Sequence, residues 1–157
     1  MRPYFEKMDD LGGPLEPAQV EKMAENRAQI EEVLKELEAE VKRVRNAGIP
    51  AETVHQRGEM TVWDRIAYLV DPGTFCPLHT LYNPRHNEEG TTGVVDGLAR
   101  ISGKWCVLIG FDNKVLAGAW IAGQAENQLR VTDLAKRLNV PLVWLVNCSG
   151  VKLTEPQ

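Results

Sequence analysis

Two runs rich in β-forming residues, Thr92–Ile101 and Lys104–Phe111, flank Ser102-Gly103. That pattern predicts a β-hairpin, and no other stretch constrains the fold as tightly. Residues Gly123–Leu138 then carry Ala125, Leu129, Leu134, Ala135 and Leu138 at helical spacing, and Asn139-Val140-Pro141 ends the helix. Leu142–Val146 is an apolar run short enough for a strand buried on both faces. Asp112-Asn113 reads as a turn and Lys114–Trp120 as a third strand between hairpin and helix. A hairpin, a helix and a parallel return strand make an α/β layer fold.

Upstream, about Met1–Pro17 is interrupted by Pro3, Gly12, Gly13, Pro14 and Pro17 and reads as an irregular arm. From Ala18 to Ala47, Val20, Met23, Ile30, Leu34, Leu37, Val41 and Val44 recur at threes and fours, with Arg27 in the one remaining slot. This predicts one long amphipathic helix, ended by Gly48 and Pro50, spanning roughly 45 Å. So narrow a stripe packs either on its own domain or on further protein, and the sequence leaves both open. The arm and helix form residues 1–50, and residues 51–157 form the α/β part. Early in the second part, His55–Thr61 reads as a link. Thr61 is placed to N-cap a helix over Val62–Val70, which Asp71-Pro72-Gly73 stops.

Composition narrows the function. A net charge of −4 and a pI near 5.4 give no electrostatic case for nucleic acid. The sequence has no membrane-length apolar run, and Met1–Lys7, lacking an apolar stretch, does not read as a secretory leader. Cys76, Cys106 and Cys148 lack C-x-x-C spacing and read as reduced thiols of a cytoplasmic protein. His79, His86, Glu88 and Glu89 follow no metal-ligand spacing, so no metal is expected. Ser149 sits in no G-x-S-x-G elbow, and Gly110, Gly118 and Gly123 form no dinucleotide fingerprint.

The turn Asn147-Cys148-Ser149-Gly150-Val151-Lys152 has more to offer. It follows a strand, and Ser149-Gly150 lets the backbone turn sharply. Main-chain N–H groups beyond such a turn can point at a ligand oxygen. It can equally be a plain connection.

His55-Gln56-Arg57-Gly58-Glu59-Met60-Thr61, Leu69-Val70-Asp71-Pro72-Gly73-Thr74-Phe75 and Gly93-Val94-Val95-Asp96-Gly97 resemble the N-terminal signature of biotin-dependent acyl-CoA carboxyltransferases. That family has a crotonase-like fold. Gly103-Lys104-Trp105-Cys106-Val107, Asp112-Asn113-Lys114, Leu116–Trp120, Gly123–Glu126 and Asn147–Lys152 resemble its glutaconyl-CoA decarboxylase branch. Other branches carry Asp-Ser-Gly-Gly-Ala-Arg at the last turn. The resemblance implies an incomplete crotonase-like ββα spiral behind a long N-terminal helix, with residues 51–157 as the first part of the N-terminal carboxyltransferase domain. Family members continue for several hundred residues, so this chain reads as an N-terminal fragment, inactive alone.

The implied activity is transfer of carboxylate from glutaconyl-CoA to biotin held on a partner carrier. Val151 supplies a main-chain oxyanion donor, Ser149 and Gly150 shape the substrate-binding turn, and Arg57 meets a CoA phosphate or forms a structural ion pair. The second donor and the biotin site lie beyond residue 157. Implied partners are the biotin carrier and membrane decarboxylase subunits, with a homo-oligomeric intact protein at the inner face of the membrane. The alternatives are a non-catalytic acyl-CoA-binding or assembly module, and a carboxyltransferase for propionyl- or methylmalonyl-CoA. A crotonase-type hydratase fits less well, because no carboxylate stands on the right turn. The isolated chain is expected to aggregate or melt broadly.

Overall fold

The computed structural model describes residues 12–152. Its elements are α1 (Pro17–Arg45), α2 (Ala51–Gln56), α3 (Val62–Leu69), β1 (Cys76–Leu78), β2 (Val94–Ile101), β3 (Lys104–Phe111), α4 (Gln124–Leu138) and β4 (Leu142–Leu145). The chain divides into two compact units, one up to Ala39 and one from Glu40 onward.

The first unit contains most of α1. No residue of α1 is buried, and Met23, Ile30 and Leu34 are open to solvent.

The second unit is built on a four-stranded sheet in the order β1-β2-β3-β4. The predicted hairpin is β2 and β3, antiparallel, with Val94 opposite Phe111 and Ile101 opposite Lys104. Ser102 and Gly103 both have positive φ, and their N–H groups donate to the Asp71 carboxylate at 2.9 and 2.7 Å. Strand β4 returns parallel to β3, with Val107 opposite Leu142, after the crossover helix α4.

The helices cover opposite faces. On one side Val94, Val107, Ile109 and Phe111 pack with Val131 and Ala135 of α4. On the other, Val62 and Ile66 of α3 pack on Leu108, flanked by Phe75 and Leu145. Each large aliphatic buried this way contributes about 1.5–3 kcal/mol. Gly110 lets α3 approach, since a Cβ there would lie 2.5 Å from Val62 Cγ2. Helix α3 starts in a capping box: Thr61 Oγ1 accepts from the Asp64 N–H, and the Asp64 carboxylate accepts from the Thr61 N–H.

The structure corrects several expectations. Lys114–Trp120 is not a strand. Leu116, Ala117 and Gly118 all have positive φ, at 48°, 54° and 75°, and make a tight left-handed turn. Lys114 starts this departure by turning inward, its ammonium donating to the Arg45 carbonyl oxygen and lying 3.7 Å from the Asp112 carboxylate. Only Trp120 returns to extended pairing, as an isolated bridge to Val151. Strand β4 is half-buried rather than enclosed on both faces, and Trp144 is 43% exposed. It pairs with β3 along one edge, and no described strand takes the other. The short helix α2 runs into the start of that link, and the chain after Phe75 adds β1 at the hairpin's outer edge.

Candidate functional site

The turn after β4 is fixed by the left-handed turn at 116–118. A Cβ on Gly118 would drive into the Asn147 carbonyl oxygen, so only glycine lets the two segments touch. Ser149 Oγ donates to the Leu116 carbonyl oxygen at 3.3 Å. The Trp120 N–H donates to the Gly150 carbonyl oxygen at 2.7 Å, and the Trp120 carbonyl oxygen accepts from the Lys152 N–H at 3.0 Å.

This is parallel pairing of Trp120 with Val151. In such a ladder the residue opposite uses the groups of its two neighbours, and its own N–H points the other way. The Val151 N–H donates no hydrogen bond among the described residues, and Val151 is 63% exposed. A main-chain donor is thereby held in place and left open. The non-glycine left-handed residues Leu116 and Ala117 carry the strain, which costs on the order of 1–3 kcal/mol each.

Ser149 and Gly150 stand in the same turn as Val151, Gly150 with φ of 124° and open space where a Cβ would go. Cys148, exposed, donates its thiol to the Gly150 carbonyl oxygen at 3.4 Å. Arg57 is not brought to the turn. It caps the C-terminal end of α2, exposed, and no hydrogen bond or ion pair among the described residues joins it to 147–152.

Glu89, which follows no metal-ligand spacing in the sequence, contacts this turn. Its Oε1 accepts from Lys152 Nζ at 3.1 Å across a separation of 63 residues. No local spacing announces such a contact. His79 likewise reaches across the fold, its half-buried ring placing Nδ1 2.8 Å from Oδ1 of the buried Asp96, while Asn127 Nδ2 donates to Asp96 Oδ2 at 2.9 Å. Burial pushes the Asp96 carboxyl above its ordinary range, against these two hydrogen bonds. His79, His86, Glu88 and Glu89 do not converge, and no cluster suited to a metal ion occurs among the described residues.

The donor set suits an acyl oxygen that gains negative charge. One backbone N–H on an open turn does not by itself cradle a bicyclic urea such as biotin.

A partial crotonase-like α/β layer is the fold class that this hairpin, crossover helix and return strand define. The carboxyl transferase domain family matches residues 53–156, and the chain belongs to that family. It is 46% identical over 154 residues to the glutaconyl-CoA decarboxylase α subunit of Acidaminococcus fermentans, covering 98% of this chain and 26% of that protein. It is 26% identical over 137 residues to the mitochondrial methylcrotonoyl-CoA carboxylase β chain of Dictyostelium discoideum, covering 82% of this chain and 23% of that one. The fold also matches the transcarboxylase 12S hexamer solved with methylmalonyl-coenzyme A bound. There the TM-score is 0.71 at 20% identity, over 78% of this chain and 26% of that one. The chain thus spans about a quarter of the length of these relatives.

Proposed function

We propose that this chain forms the first part of the acyl-CoA side of a biotin-dependent carboxyltransferase that takes its carboxylate from glutaconyl-CoA. The observation that carries the reading is the open Val151 N–H, fixed by the Trp120 pairing. The similarity to the glutaconyl-CoA decarboxylase α subunit supports the substrate.

In this reading the thioester oxygen accepts from the Val151 N–H. The bond between the substrate and its carboxylate carbon breaks, and its electron pair passes into the conjugated thioester as a dienolate. Biotin, brought by a partner carrier, would supply the acceptor for the carboxylate and the proton that returns to the substrate carbon. A fixed dipole aimed at the oxygen lowers the barrier because it needs no reorganisation as charge develops. Ser149 and Gly150 shape the turn. Arg57 meets a CoA phosphate from the α2–α3 link. A second donor, from outside the described residues, completes the oxyanion hole. Carrier and membrane decarboxylase subunits complete the assembly, and this subunit is peripheral to the membrane; among the described residues no helix is long and apolar enough to cross one.

The test is transfer from glutaconyl-CoA to free biotin by the full-length protein, beside propionyl- and methylmalonyl-CoA. Preference for glutaconyl-CoA supports the reading. Preference for another acyl-CoA moves the substrate, and tight acyl-CoA binding without transfer identifies a binding module.

A further inference from the structure

The turn at 147–152 is held from two sides. Segment 116–120 grips its main chain, and Glu89 grips the side chain of Lys152, the residue next to the open donor. Glu89 is itself firmly placed. It lies inside a turn closed by the Gly90 N–H donating to the Asn87 carbonyl oxygen at 2.8 Å. Asn87 Nδ2 reaches the Ala122 carbonyl oxygen at 2.9 Å, just ahead of α4. Arg85 pairs with Glu126 at 2.9 Å, and the Arg130 guanidinium lies 4.9 Å from the Tyr82 ring centre. Loop 79–93 is therefore fastened to the first turns of α4 at several points.

The chemistry of the pair is lopsided. The Glu89 side chain is only 16% exposed and that of Lys152 is 28% exposed. Glu89 Oε2 is buried and takes no hydrogen bond from the described residues. The carboxylate therefore relies on Lys152, and losing that partner leaves it a poorly solvated charge. Such a pair is a costly way to gain stability and an effective way to hold one geometry.

We propose that Glu89 is a positioning residue that, through Lys152, sets the direction of the Val151 N–H. This rests on the reading of Val151 as the oxyanion donor. A donor misplaced by about 1 Å costs roughly 10²-fold in rate, so the pair acts on turnover more than on affinity.

The experiment is a double-mutant cycle in the full-length protein with Glu89→Gln, Lys152→Met and the double variant, plus Lys152→Arg as the conservative change. It reads kcat, KM for the acyl-CoA, and exchange of the Lys152 amide hydrogen, with β2 and β3 amides reporting an intact fold. Each single variant should lower kcat roughly 10- to 100-fold, with KM within about threefold, and should speed Lys152 amide exchange. The double variant should be no worse than the poorer single, and Lys152→Arg should restore most of the rate. Independent, multiplying effects, or unchanged Lys152 exchange in both single variants, would overturn the proposal. Exchange does not depend on the acyl-CoA. Coupled exchange in a protein that transfers nothing would refute the donor reading and the proposal with it, whereas active transfer with uncoupled exchange would refute the positioning role alone.

Discussion

Trp120 and Val151 pair as a parallel bridge in which Trp120 uses both of its main-chain groups and Val151 contributes neither of its own. The bridge therefore does not need the Val151 N–H, and removing that N–H spares both hydrogen bonds. Val151→Pro should lower kcat for carboxyl transfer by about 10²–10³-fold, the usual effect of one lost oxyanion donor. Val151→Ala keeps the N–H and should stay within a few-fold. Equal losses in the two variants would mean that the side chain, not the amide, matters.

Gly118→Ala should destabilise the protein and disable the turn together. Its φ of 75° is costly for alanine, and the added methyl meets the Asn147 carbonyl. The backbone strain alone is worth about 1–3 kcal/mol. Thermal unfolding reads the stability loss, and carboxyl transfer at a temperature where the variant remains folded reads the displaced turn. A variant with unaltered melting and activity would show that the 116–118 turn does not brace the site.

Acid should weaken the start of α3. The His55 imidazole, 2.7 Å away, and then the Thr61 hydrogen bonds hold the Asp64 carboxyl down at about 2, below its ordinary 3.8. A lowered folded-state value means the stabilisation is present above pH 3.8 and is lost as pH falls toward 2. Because the Asp64 side chain is 39% exposed, solvent screening keeps the effect below about 1 kcal/mol. Melting of wild type and Asp64→Asn should differ most above pH 5 and converge near pH 2. A gap that widens with acid would reverse the sign.

Arg57→Ala separates the two roles given to that residue. A CoA-phosphate contact predicts a several-fold rise in KM for the acyl-CoA with unchanged melting. A structural ion pair predicts the opposite, a lower melting temperature and unchanged KM. Arg57 is exposed, and the structure gives it no ion pair among the described residues, which favours the first outcome.

The 157-residue chain purified alone should self-associate and unfold over a broad range. The outer edge of β4 has no strand beside it among the described residues, and Trp144 and Val146 are open to solvent. A sharp transition independent of concentration would contradict this.

The hairpin at 94–111, α4 and β4 were legible in the sequence because each depends on local chemistry. β-rich runs around Ser102-Gly103, apolar residues at helical spacing and the Asn139–Pro141 stop signal all act within a few residues. The Thr61 cap was legible for the same reason. The turn at 147–152 could be flagged, since a strand followed by Ser149-Gly150 must bend, and the motif series identified the family.

Tertiary structure decided the rest. Lys114–Trp120 has the composition of a strand, yet the buried reach of Lys114 and the close approach of Gly118 to Asn147 force a left-handed turn there. That turn, not the residues of 147–152, decides which N–H remains open. Glu89 and Lys152, far apart in the chain, meet only because loop 79–93 is fastened to α4. Local propensity selects the elements, whereas the aim of a single hydrogen-bond donor depends on contacts between distant segments, which no short window of sequence contains.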